Sequence, residues 1–465
     1  MLNPKPIVMK FGGTSVEDAP AFSRVAEIVA ISDLTPVVVV SAMSGMTDAL
    51  IASVQQARVG DLHDATKLLA PKFARHVEVA KTLPALECET TSQAIAAARE
   101  EIERLLTAML DQEEDAALTD AVLSFGEGLS SILLAAILRQ RGLGARQVDA
   151  RRCIITDREH GCAAPIIEET FRRSRETLGP LLRQGLVPVL GGFVGATLSG
   201  ETTTLGRGGS DYTAALVGAA VEAGEIQIWT DVTGVLTADP RVVTTARTIP
   251  RLSYAEAAEL AYFGAKVLHP KTIQPAVEGN IPVRICNSRL LEYTGTVVCA
   301  ESETTEHTVK AIAYKSGVTT VQISSARMLG AYGFLRALFE VFDRHRTIVD
   351  VVTTSEVSVS LSLDDATALP AIVEELSQFG TVRVERDRAI ICVVGEGLRG
   401  TPGIAARVFS TISDINVTLI SQGASSINLT FAIEEAQVVE AVTRLHEAFF
   451  GEPNEACSAL TAAAR

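Results

Sequence analysis

The sequence has few aromatic residues and comparatively little positive charge. Aromatic residues make up 5% of the 465 residues, and there is one tryptophan. The 41 lysines and arginines are outnumbered by 56 aspartates and glutamates, which gives a formal net charge of −15. A chain this acidic does not hold nucleic acid or an anionic membrane through its overall field. An anionic ligand must therefore be bound by a few local lysines, arginines and backbone N–H groups.

The sequence also lacks paired cysteines and long apolar runs. Its seven cysteines are scattered without a CxxC spacing, which favours reduced thiols in a cytoplasmic protein over a disulfide framework or a zinc site. The histidines show no metal-ligand pairing, so we predict no protein ligand for a metal. The N-terminus, MLNPKPIVMKFGG, does not resemble a signal or transit peptide. Apolar runs such as 35–40 are too short to span a bilayer.

What the sequence does contain, over the first 300 residues, is an alternation of short apolar strands with amphipathic helices. This pattern predicts a mostly parallel sheet covered by helices on both faces. The predicted strands are 7–11, 36–41, 147–149, 187–193, 225–230 and 282–286. The predicted helices include 21–31, 121–141 and 211–223, and residues 60–118 look like a helical insert on the sheet.

The composition changes near residue 300. The polar stretch 301–307, ESETTEH, is typical of a linker. Two similar segments follow, 333–363 and 403–431, in which Leu361 matches Leu429. Each segment has the pattern of a helix, a turn and two strands. Two copies are too few for a solenoid, so we predict two small α+β domains packed together.

The first strand ends in a glycine turn. Lys10 is followed by Phe11, Gly12, Gly13, Thr14 and Ser15. The two glycines allow close approach of the backbone to a ligand, and Lys10 adds a mobile positive charge. The turn is not the GxxxxGK[ST] loop. From these residues alone, a phosphate site and an ordinary tight turn with a solvated lysine are equally good interpretations.

The motif richest in functional residue types is the run 200–213, GETTTLGRGGSDYT. Arg207 can grip a carboxylate with a bidentate fork, while Asp211 suits the first turn of a helix. Glu127 lies within an otherwise apolar helix, where it either faces solvent or anchors a substrate ammonium group. Thr47 follows the second strand and fits either a ligand crevice or a helix N-cap.

Further charged residues follow the strand ending in Thr230 and Asp231. Arg241 and Lys266 are candidates for nucleotide phosphates. Taken alone, each is also explained as a surface charge.

Taken together, KFGGTSV, SAMSGMT, SFGE, TTTLGRGGSDYTA, WTDVTGV, DPR and FGAKVLHP resemble the aspartate kinases, in that family's order across nearly the whole chain. The C-terminal segments resemble its paired ACT domains, and the type most similar is the monofunctional, lysine-sensitive one. The resemblance implies an α/β amino-acid-kinase fold over 1–300, a three-layer αβα sandwich with a mostly parallel sheet. Two ferredoxin-like α+β ACT domains would follow at 311–387 and 388–450, with the C-terminal residues packing back on the first.

The family's reaction and partners are expectations that the resemblance adds. It implies transfer of a phosphoryl group from ATP, with Mg²⁺, to the β-carboxylate of L-aspartate, giving 4-phospho-L-aspartate and ADP. This is the first step of lysine, threonine and methionine biosynthesis. Feedback by an amino acid, L-lysine in the type most similar, is implied, as is a homodimer joined through the ACT domains or a dimer of dimers.

The resemblance also assigns roles to individual residues. Lys10 and Asp211 are implied to be catalytic. The implied aspartate contacts are Thr47, Glu127, Phe193, Arg207, Gly208 and Ser210. The implied ATP contacts are Lys10, Gly12, Gly13, Ser15, Thr230, Asp231, Leu236, Arg241, Lys266 and Val267. The implied effector contacts are Met328, Gly333, Phe334, Leu335, Val349, Asp350, Thr354, Ser355 and Glu356.

Two departures from the family leave alternatives open. Leu236 stands where a close relative has a tyrosine beside the nucleotide, and Ala331 replaces a serine of a lysine-sensitive relative. A threonine-regulated or pathway-specialised aspartate kinase is therefore an alternative. A non-catalytic amino-acid sensor is disfavoured by Lys10, Arg207 and Asp211. A sister kinase for glutamate, N-acetylglutamate, carbamate or a nucleotide is disfavoured by SFGE, GRGGSDYT and the repeats.

Overall fold

A computed structural model describes residues 5–111, 115–264, 268–301 and 308–451. The chain divides into two compact units. The first consists of residues 1–235, 250–254 and 267–301, and the second of 236–249, 255–266 and 302–465. Most of the predicted linker, residues 302–307, lies outside the described residues. The boundaries 1–300, 311–387 and 388–450 stay predictions.

The first unit is built on eleven strands in the described residues. They are β1 Ile7–Phe11, β2 Pro36–Val40, β3 Ala145–Val148, β4 Ile155–Thr156, β5 Val187–Gly191, β6 Val194–Thr197, β7 Thr202–Thr204, β8 Glu225–Thr230, β9 Arg251–Ser253, β10 Val283–Asn287 and β11 Thr296–Cys299. Eight of them form one sheet in the order β3-β5-β2-β1-β8-β10-β11-β9. Within it, β11 is antiparallel to β10, and the other neighbouring strands are parallel.

Helices cover this sheet. Those of the first unit are α1 Ala19–Ala30, α2 Met46–Arg58, α3 Leu62–Ala80, α4 Ala85–Ala108, α5 Ala116–Leu123, α6 Phe125–Gln140, α7 Ile167–Arg183, α8 Gly209–Ala220 and α10 Gln274–Glu278. Between α8 and α10 in the chain, α9 Tyr254–Tyr262 belongs to the second unit apart from its first residue. Met9 and Val38 share a buried cluster with α1 and α6, whereas Val8 lies against Gly218 of α8. Because strands covered on both faces bury every residue, β1 and β2 are continuously apolar apart from Lys10. The predicted αβα sandwich is confirmed.

The predicted helix 121–141 is divided in the structure into α5 and α6, which meet at Ser124. The Ser124 hydroxyl donates to Ala121 O at 2.7 Å, a local bond that competes with regular helix geometry. The stretch Ala116–Gln140 is long and apolar enough to cross a membrane, which the prediction of only short apolar runs missed. Since 72% of its most apolar window is buried inside the protein, it has the character of a core helix pair.

Sequence patterns also missed a small sheet of the order β4-β6-β7. Its strands have two to four residues, which is too short for a period to be recognised. The predicted strand 187–193 ends earlier, at Gly191, because Phe193 adopts a φ of 67° that leaves the extended region. This exit leads the chain into the β6–β7 hairpin and on to Arg207.

The second unit contains six strands and four helices that follow α10 in the described residues. They are β12 Ala311–Ser324, α11 Phe334–Arg344, β13 Val352–Thr354, β14 Ser358–Leu363, α12 Leu369–Leu376, β15 Thr381–Val394, α13 Ile404–Thr411, β16 Leu419–Gln422, β17 Asn428–Glu434 and α14 Val438–Phe450. The strands form one antiparallel sheet in the order β13-β14-β12-β15-β17-β16. Each predicted repeat is thus a helix followed by a hairpin.

The long strands β12 and β15 are shared between two hydrophobic cores. Their pairing is irregular between Lys315 and Thr320. Val321 and Ile323 of β12 pack in one core with α11 and α12, whereas Ile312 packs in another with α13 and α14. Two ferredoxin-like layers are therefore joined through the continuous strands β12 and β15, and the first half of β12 completes the second layer.

Candidate active site

A cavity of about 700 Å³ opens where β1, β2 and β5 end. The carboxyl ends of parallel strands are the usual ligand edge of an open α/β sheet. The cavity brings together nine residues that the sequence analysis singled out: Lys10, Gly13, Thr47, Glu127, Phe193, Arg207, Gly208, Ser210 and Asp211. They come from segments that are far apart in the chain, the first being Lys10 and the last Asp211.

At the base of the cavity, Lys10 forms an ion pair with Asp211. Lys10 Nζ lies 2.7 Å from Asp211 Oδ1, and the two side chains are 11% and 17% exposed. Lys10 is fixed by the buried strand β1, and Asp211 is in the first turn of α8. The pairing orients the lysine ammonium group and leaves its remaining N–H donors available.

Glu127 lies in the first turn of α6 and is buried, so the solvent-facing interpretation is wrong. Its Oε2 has no hydrogen-bond partner among the described residues. Burial raises the pKa of Glu127 to about 7, partly offset by the backbone N–H groups of Ala42 and Glu127 and by the charge of Lys10. A buried carboxyl with a free oxygen can receive a ligand ammonium group.

Close backbone contacts shape the cavity wall. A Cβ at Gly191 would lie 2.8 Å from Glu127 Cβ, and one at Gly192 would lie 2.6 Å from Ser210 Cβ. Phe193 follows in the left-handed region, with its N–H donating to Thr213 Oγ1 at 3.0 Å. A phenylalanine with positive φ is uncommon and costs backbone strain that surrounding contacts must sustain.

Glycines precede two of the helices that reach the cavity, α2 and α8. Gly45 precedes α2 with a φ of 73°, and Gly208 precedes α8 with a φ of 74°. The N-cap interpretation of Thr47 is therefore wrong, because Gly45 holds that position and Thr47 lies in the first turn. Thr47 instead lines the cavity.

Arg207 lies at the rim of the cavity. Its side chain is exposed and has no hydrogen-bond or ion-pair partner among the residues that the structure describes. The guanidinium group is thus available to a carboxylate of a ligand.

The glycine turn after β1 is a 3-10 helix, Gly13–Val16. The Gly12 N–H donates to Trp229 O at 3.0 Å, so this donor is used inside the protein. A Cβ at Gly13 would lie 2.9 Å from Ala42 O, which explains the second glycine. The Ser15 hydroxyl lies 2.8 Å from the Ser288 hydroxyl.

The residues at the end of β8 are held by two residues at the end of the neighbouring strand β10, Asn287 and Ser288, which sequence reasoning did not single out. The Thr230 hydroxyl donates to Asp231 Oδ1 at 3.2 Å. Asn287 Nδ2 donates to Asp231 O at 3.2 Å, and the Ser288 hydroxyl donates to Thr230 O at 3.1 Å. Asn287 is the last residue of β10, which lies beside β8 in the sheet, and Ser288 follows it; no motif marked either residue.

Four further nucleotide candidates remain: Leu236, Arg241, Lys266 and Val267. Leu236 and Arg241 are in the second compact unit, and Arg241 Nη2 pairs with Asp239 Oδ2 at 2.6 Å while 85% exposed. Lys266 and Val267 lie outside the described residues. The ATP roles of these four residues stay predictions.

The candidate effector residues are near one end of the second unit's sheet. Gly333, with a φ of 78°, precedes Phe334 and Leu335 in the first turn of α11. Thr354 ends β13, and the turn that follows contains the exposed Ser355 and Glu356. Met328 ends a 3-10 helix, and Val349 is half-buried before β13.

Asp350 is the buried member of this group and is engaged by its neighbours. Its carboxyl group accepts a hydrogen bond from the Tyr262 hydroxyl, and Lys315 Nζ lies 3.8 Å from Oδ2. Lys315 also lies over the Tyr262 ring, 4.6 Å from its centroid, and pairs with Asp364. Burial and the nearby Asp364 raise the pKa of Asp350 to about 7. An amino group of the chain itself thus already lies near this carboxyl.

Comparisons with known proteins agree with this geometry. The profile of the Amino acid kinase family matches residues 5–287, and that of the ACT domain matches 391–449. Lysine-sensitive aspartokinase 3 of Escherichia coli K12 is 39% identical over 96% of this chain and 99% of its own. Aspartokinase 3, chloroplastic, of Arabidopsis thaliana is 39% identical over 98% of this chain and 83% of its own.

Two solved structures of E. coli aspartokinase III share the fold. The complex with aspartate and ADP, in the R-state, has a TM-score of 0.81 and 37% identity, covering 96% of this chain and 100% of that one. The complex with lysine and aspartate, in the T-state, has a TM-score of 0.79 and 38% identity, covering 96% and 99%.

The fold and the cavity define a kinase of the amino acid kinase family with a C-terminal ACT region. As a kinase of this family, it uses a nucleotide. More particularly, the chain belongs to the aspartokinases and is an aspartate kinase. The resemblance to the lysine-sensitive type and the predicted fold class are confirmed.

Proposed function

We propose that this chain transfers the γ-phosphoryl group of MgATP to the β-carboxylate of L-aspartate in the cavity of Lys10. The observation that supports this proposal most strongly is the convergence of Lys10, Asp211, Glu127 and Arg207 on one cavity. Two positive groups suit two anionic ligands, and the buried carboxyl suits an ammonium group. Such local charges allow a chain of net charge −15 to bind anions.

In this proposal the site recognises the substrate by its α-ammonium and α-carboxylate groups. Glu127 receives the α-ammonium group on its unpartnered Oε2, and the free guanidinium of Arg207 receives the α-carboxylate. Thr47, Phe193, Gly208 and Ser210 complete the wall. The β-carboxylate is then directed toward Lys10.

The chemical step needs no general base, because the β-carboxylate is already ionised at neutral pH. One of its oxygens attacks the γ-phosphorus, the bond between that phosphorus and the bridging oxygen breaks, and ADP leaves. Lys10 stabilises the negative charge on the transferring phosphoryl oxygens, and Asp211 keeps the lysine in place.

Mg²⁺ would accompany the nucleotide. Such an ion takes most of its ligands from phosphates and water, and the described residues contain no group of three His, Cys, Asp or Glu side chains that could hold it without the nucleotide. Bound there, Mg²⁺ would neutralise charge on the phosphates. No residue of the chain is assigned as its direct ligand.

Feedback and assembly are part of the same proposal. L-lysine binds the first ACT domain near Asp350, and the chain forms a homodimer through its ACT domains, in the cytoplasm, at the entry to lysine, threonine and methionine synthesis. An effector ammonium group at Asp350 would compete with Lys315 and with the Tyr262 hydroxyl. Feedback then requires different effector affinities in two states of the protein.

The decisive assay measures ATP-dependent acyl phosphate trapped with hydroxylamine over a panel of amino acids. We expect product with aspartate and none with glutamate; the reverse would reject the substrate assignment. Adding lysine, threonine or methionine to the same assay identifies the effector, and inhibition by threonine alone would refute lysine.

The role of Lys10 is tested in this assay with Lys10→Ala. We expect turnover to fall by about a thousandfold or more, as for loss of a group that stabilises transition-state charge. Lys81→Ala removes a surface lysine that pairs with Glu78 and serves as control. Near-normal turnover of Lys10→Ala would contradict the mechanism.

A further inference from the structure

Asp120 is a buried carboxyl group outside the set of residues that the sequence analysis proposed. It lies in α5, and its side chain is 1% exposed. Thr204 donates to it twice, from Oγ1 at 2.5 Å and from the backbone N at 3.1 Å. The Gly161 N–H donates to both oxygens, at 3.2 and 3.0 Å, and His160 Nδ1 lies 3.0 Å from Oδ2. Such a set of hydrogen bonds to one buried carboxyl fixes three segments at one point.

One of these segments leads directly to Arg207. Thr204 is the last residue of β7, and Leu205 and Gly206 separate it from the arginine. A Cβ at Gly206 would lie 3.3 Å from Gly161 O, so the loop held by Asp120 also packs against the chain just before Arg207. Asp120, Gly161, Thr204 and Arg207 line the same cavity.

The helix that carries Asp120 leads to Glu127. The Asp120 carbonyl accepts a hydrogen bond from Ser124 N at 3.0 Å, at the junction of α5 and α6. Glu127 follows in the first turn of α6. The backbone of Asp120 therefore leads to Glu127, which is proposed to bind the substrate ammonium group. Its side chain holds the segment that leads to Arg207, which is proposed to bind the substrate carboxylate.

We propose that Asp120 is a positioning residue that sets the spacing between Arg207 and Glu127, and with it the fit of the amino-acid substrate. This inference rests on the proposed function, in which those two residues hold the charges of aspartate. Misplacement of a binding group by about an ångström costs up to about a hundredfold in rate or affinity. Asp120 thus acts on recognition of the amino acid and not on the nucleotide.

The mildest test is Thr204→Val, which removes the hydroxyl donor and keeps the shape and the backbone bond. We expect KM for aspartate to rise by about tenfold, since a hydrogen bond to a charged group is lost, with KM for ATP unchanged. Thr203→Val is the matched control, because Thr203 is equally buried in β7 but its hydroxyl pairs with Thr156 Oγ1, 2.7 Å away. Equal KM values for aspartate in the two variants would overturn the proposal.

A double-mutant cycle separates positioning from general stability. In an Arg207→Gln background, the effect of Thr204→Val on KM for aspartate should disappear, because the group being positioned is gone. Additive effects would mean that Thr204 and Asp120 do not act through Arg207, and the inference would fail. Asp120→Asn, which replaces one acceptor oxygen with a donor, should reproduce the Thr204→Val pattern more strongly, by about a hundredfold.

The outcomes also distinguish this inference from the proposed function. If the wild-type chain phosphorylates aspartate and the cycle is additive, only the role of Asp120 is wrong. If the wild-type chain does not act on aspartate, the proposed function fails and this inference falls with it.

Discussion

At the scale of single residues, Glu127 shows how burial prepares a group for its ligand. The same carboxyl on a surface helix would be ionised and hydrated well below neutral pH. Inside α6 it loses water, one oxygen has no hydrogen-bond partner among the described residues, and its pKa rises to about 7. A substrate ammonium group replaces the water that the buried carboxyl group has lost. The burial of Glu127, although unfavourable for the free protein, therefore favours binding of an ammonium group and selects for it.

Burial of Glu127 predicts a pH-dependent loss of folding stability, which the Glu127→Gln variant should not show. Between a pKa of 4.5 in the unfolded chain and about 7 in the folded one, the folded protein binds a proton that the unfolded chain has released. Stability from this residue is therefore present at low pH and is lost as pH rises through that window. At pH 8 the free energy of unfolding of the glutamine variant should exceed that of the wild type by ~3 kcal/mol, and at pH 4.5 by little.

Urea denaturation at the two pH values measures this difference. Glu100→Gln, on an exposed position of α4, is the control. A difference that does not change with pH would show that Glu127 is not the source. The same variant should raise KM for aspartate by about tenfold or more, because the ammonium group loses its partner.

At the scale of elements, α8 shows how a helix start positions chemistry. Gly208 adopts a φ of 74° just before the helix, and Ser210 and Asp211 follow in the first turn. A Cβ at Gly208 would meet Thr272 Cγ2 at 2.8 Å. Both the positive φ and the lack of room for a Cβ require glycine at this position. The helix start that results places the carboxylate of Asp211 beside Lys10.

We expect Gly208→Ala to lower kcat by about tenfold, because the first turn of α8 must shift to relieve the contact. The variant should also lower the free energy of unfolding by ~1–2 kcal/mol, because alanine is disfavoured in the left-handed backbone conformation. Gly142→Ala is a matched control: its φ is 82°, no atom lies within 4 Å of the added Cβ, and it follows α6 away from the cavity. Thermal unfolding and steady-state kinetics of both variants measure the two effects; equal kcat values would contradict the prediction.

At the scale of the whole molecule, the second unit carries exposed apolar residues beside the candidate effector residues. Leu329 and Ile348 are 67% and 78% exposed, and Tyr332 is fully exposed. Leu335 lies between them in sequence and is partly exposed. Exposed apolar side chains within one short stretch of the chain, 329–348, fit the proposed homodimer through the ACT domains.

Tyr332→Glu should therefore dissociate the dimer and abolish lysine inhibition while basal turnover is kept, because a charge would be buried at the contact. Light scattering after size exclusion should give the mass of one chain, 49.3 kDa. Leu86→Glu changes a residue of similar exposure, 78%, in α4 and should change neither property. A Tyr332→Glu variant that remains dimeric and fully inhibited would place the interface elsewhere.

Much of this protein could be read from local pattern. The apolar runs of β1 and β2 predicted a buried parallel sheet, because a strand that is covered on both faces has no polar side. The run from Gly200 to Thr213 indicated a ligand loop, because glycines, hydroxyls and an arginine before a helix have few other uses. The repeats after residue 300 indicated two α+β layers, and the structure contains them.

What local pattern could not give is which side chains meet across long separations in sequence. Asp120 belonged to no motif and to no predicted helix, and only the packing of α5 against β7 brings Thr204 and Gly161 to it. Ser288 and Asn287 were unmarked because strand order, and not sequence, sets β10 beside β8. Glu127 could have faced solvent until the fold buried it.

The sequence by itself determined the alternation of strands and helices, the glycine turns and the family, since these depend on residue type and spacing along the chain. The tertiary structure decided how readily Glu127 ionises and which side chain pairs with Lys10. Burial sets the free energy of ionising Glu127, and the packing of α8 against β1 places Asp211 beside Lys10. Both depend on distances that a one-dimensional pattern does not contain.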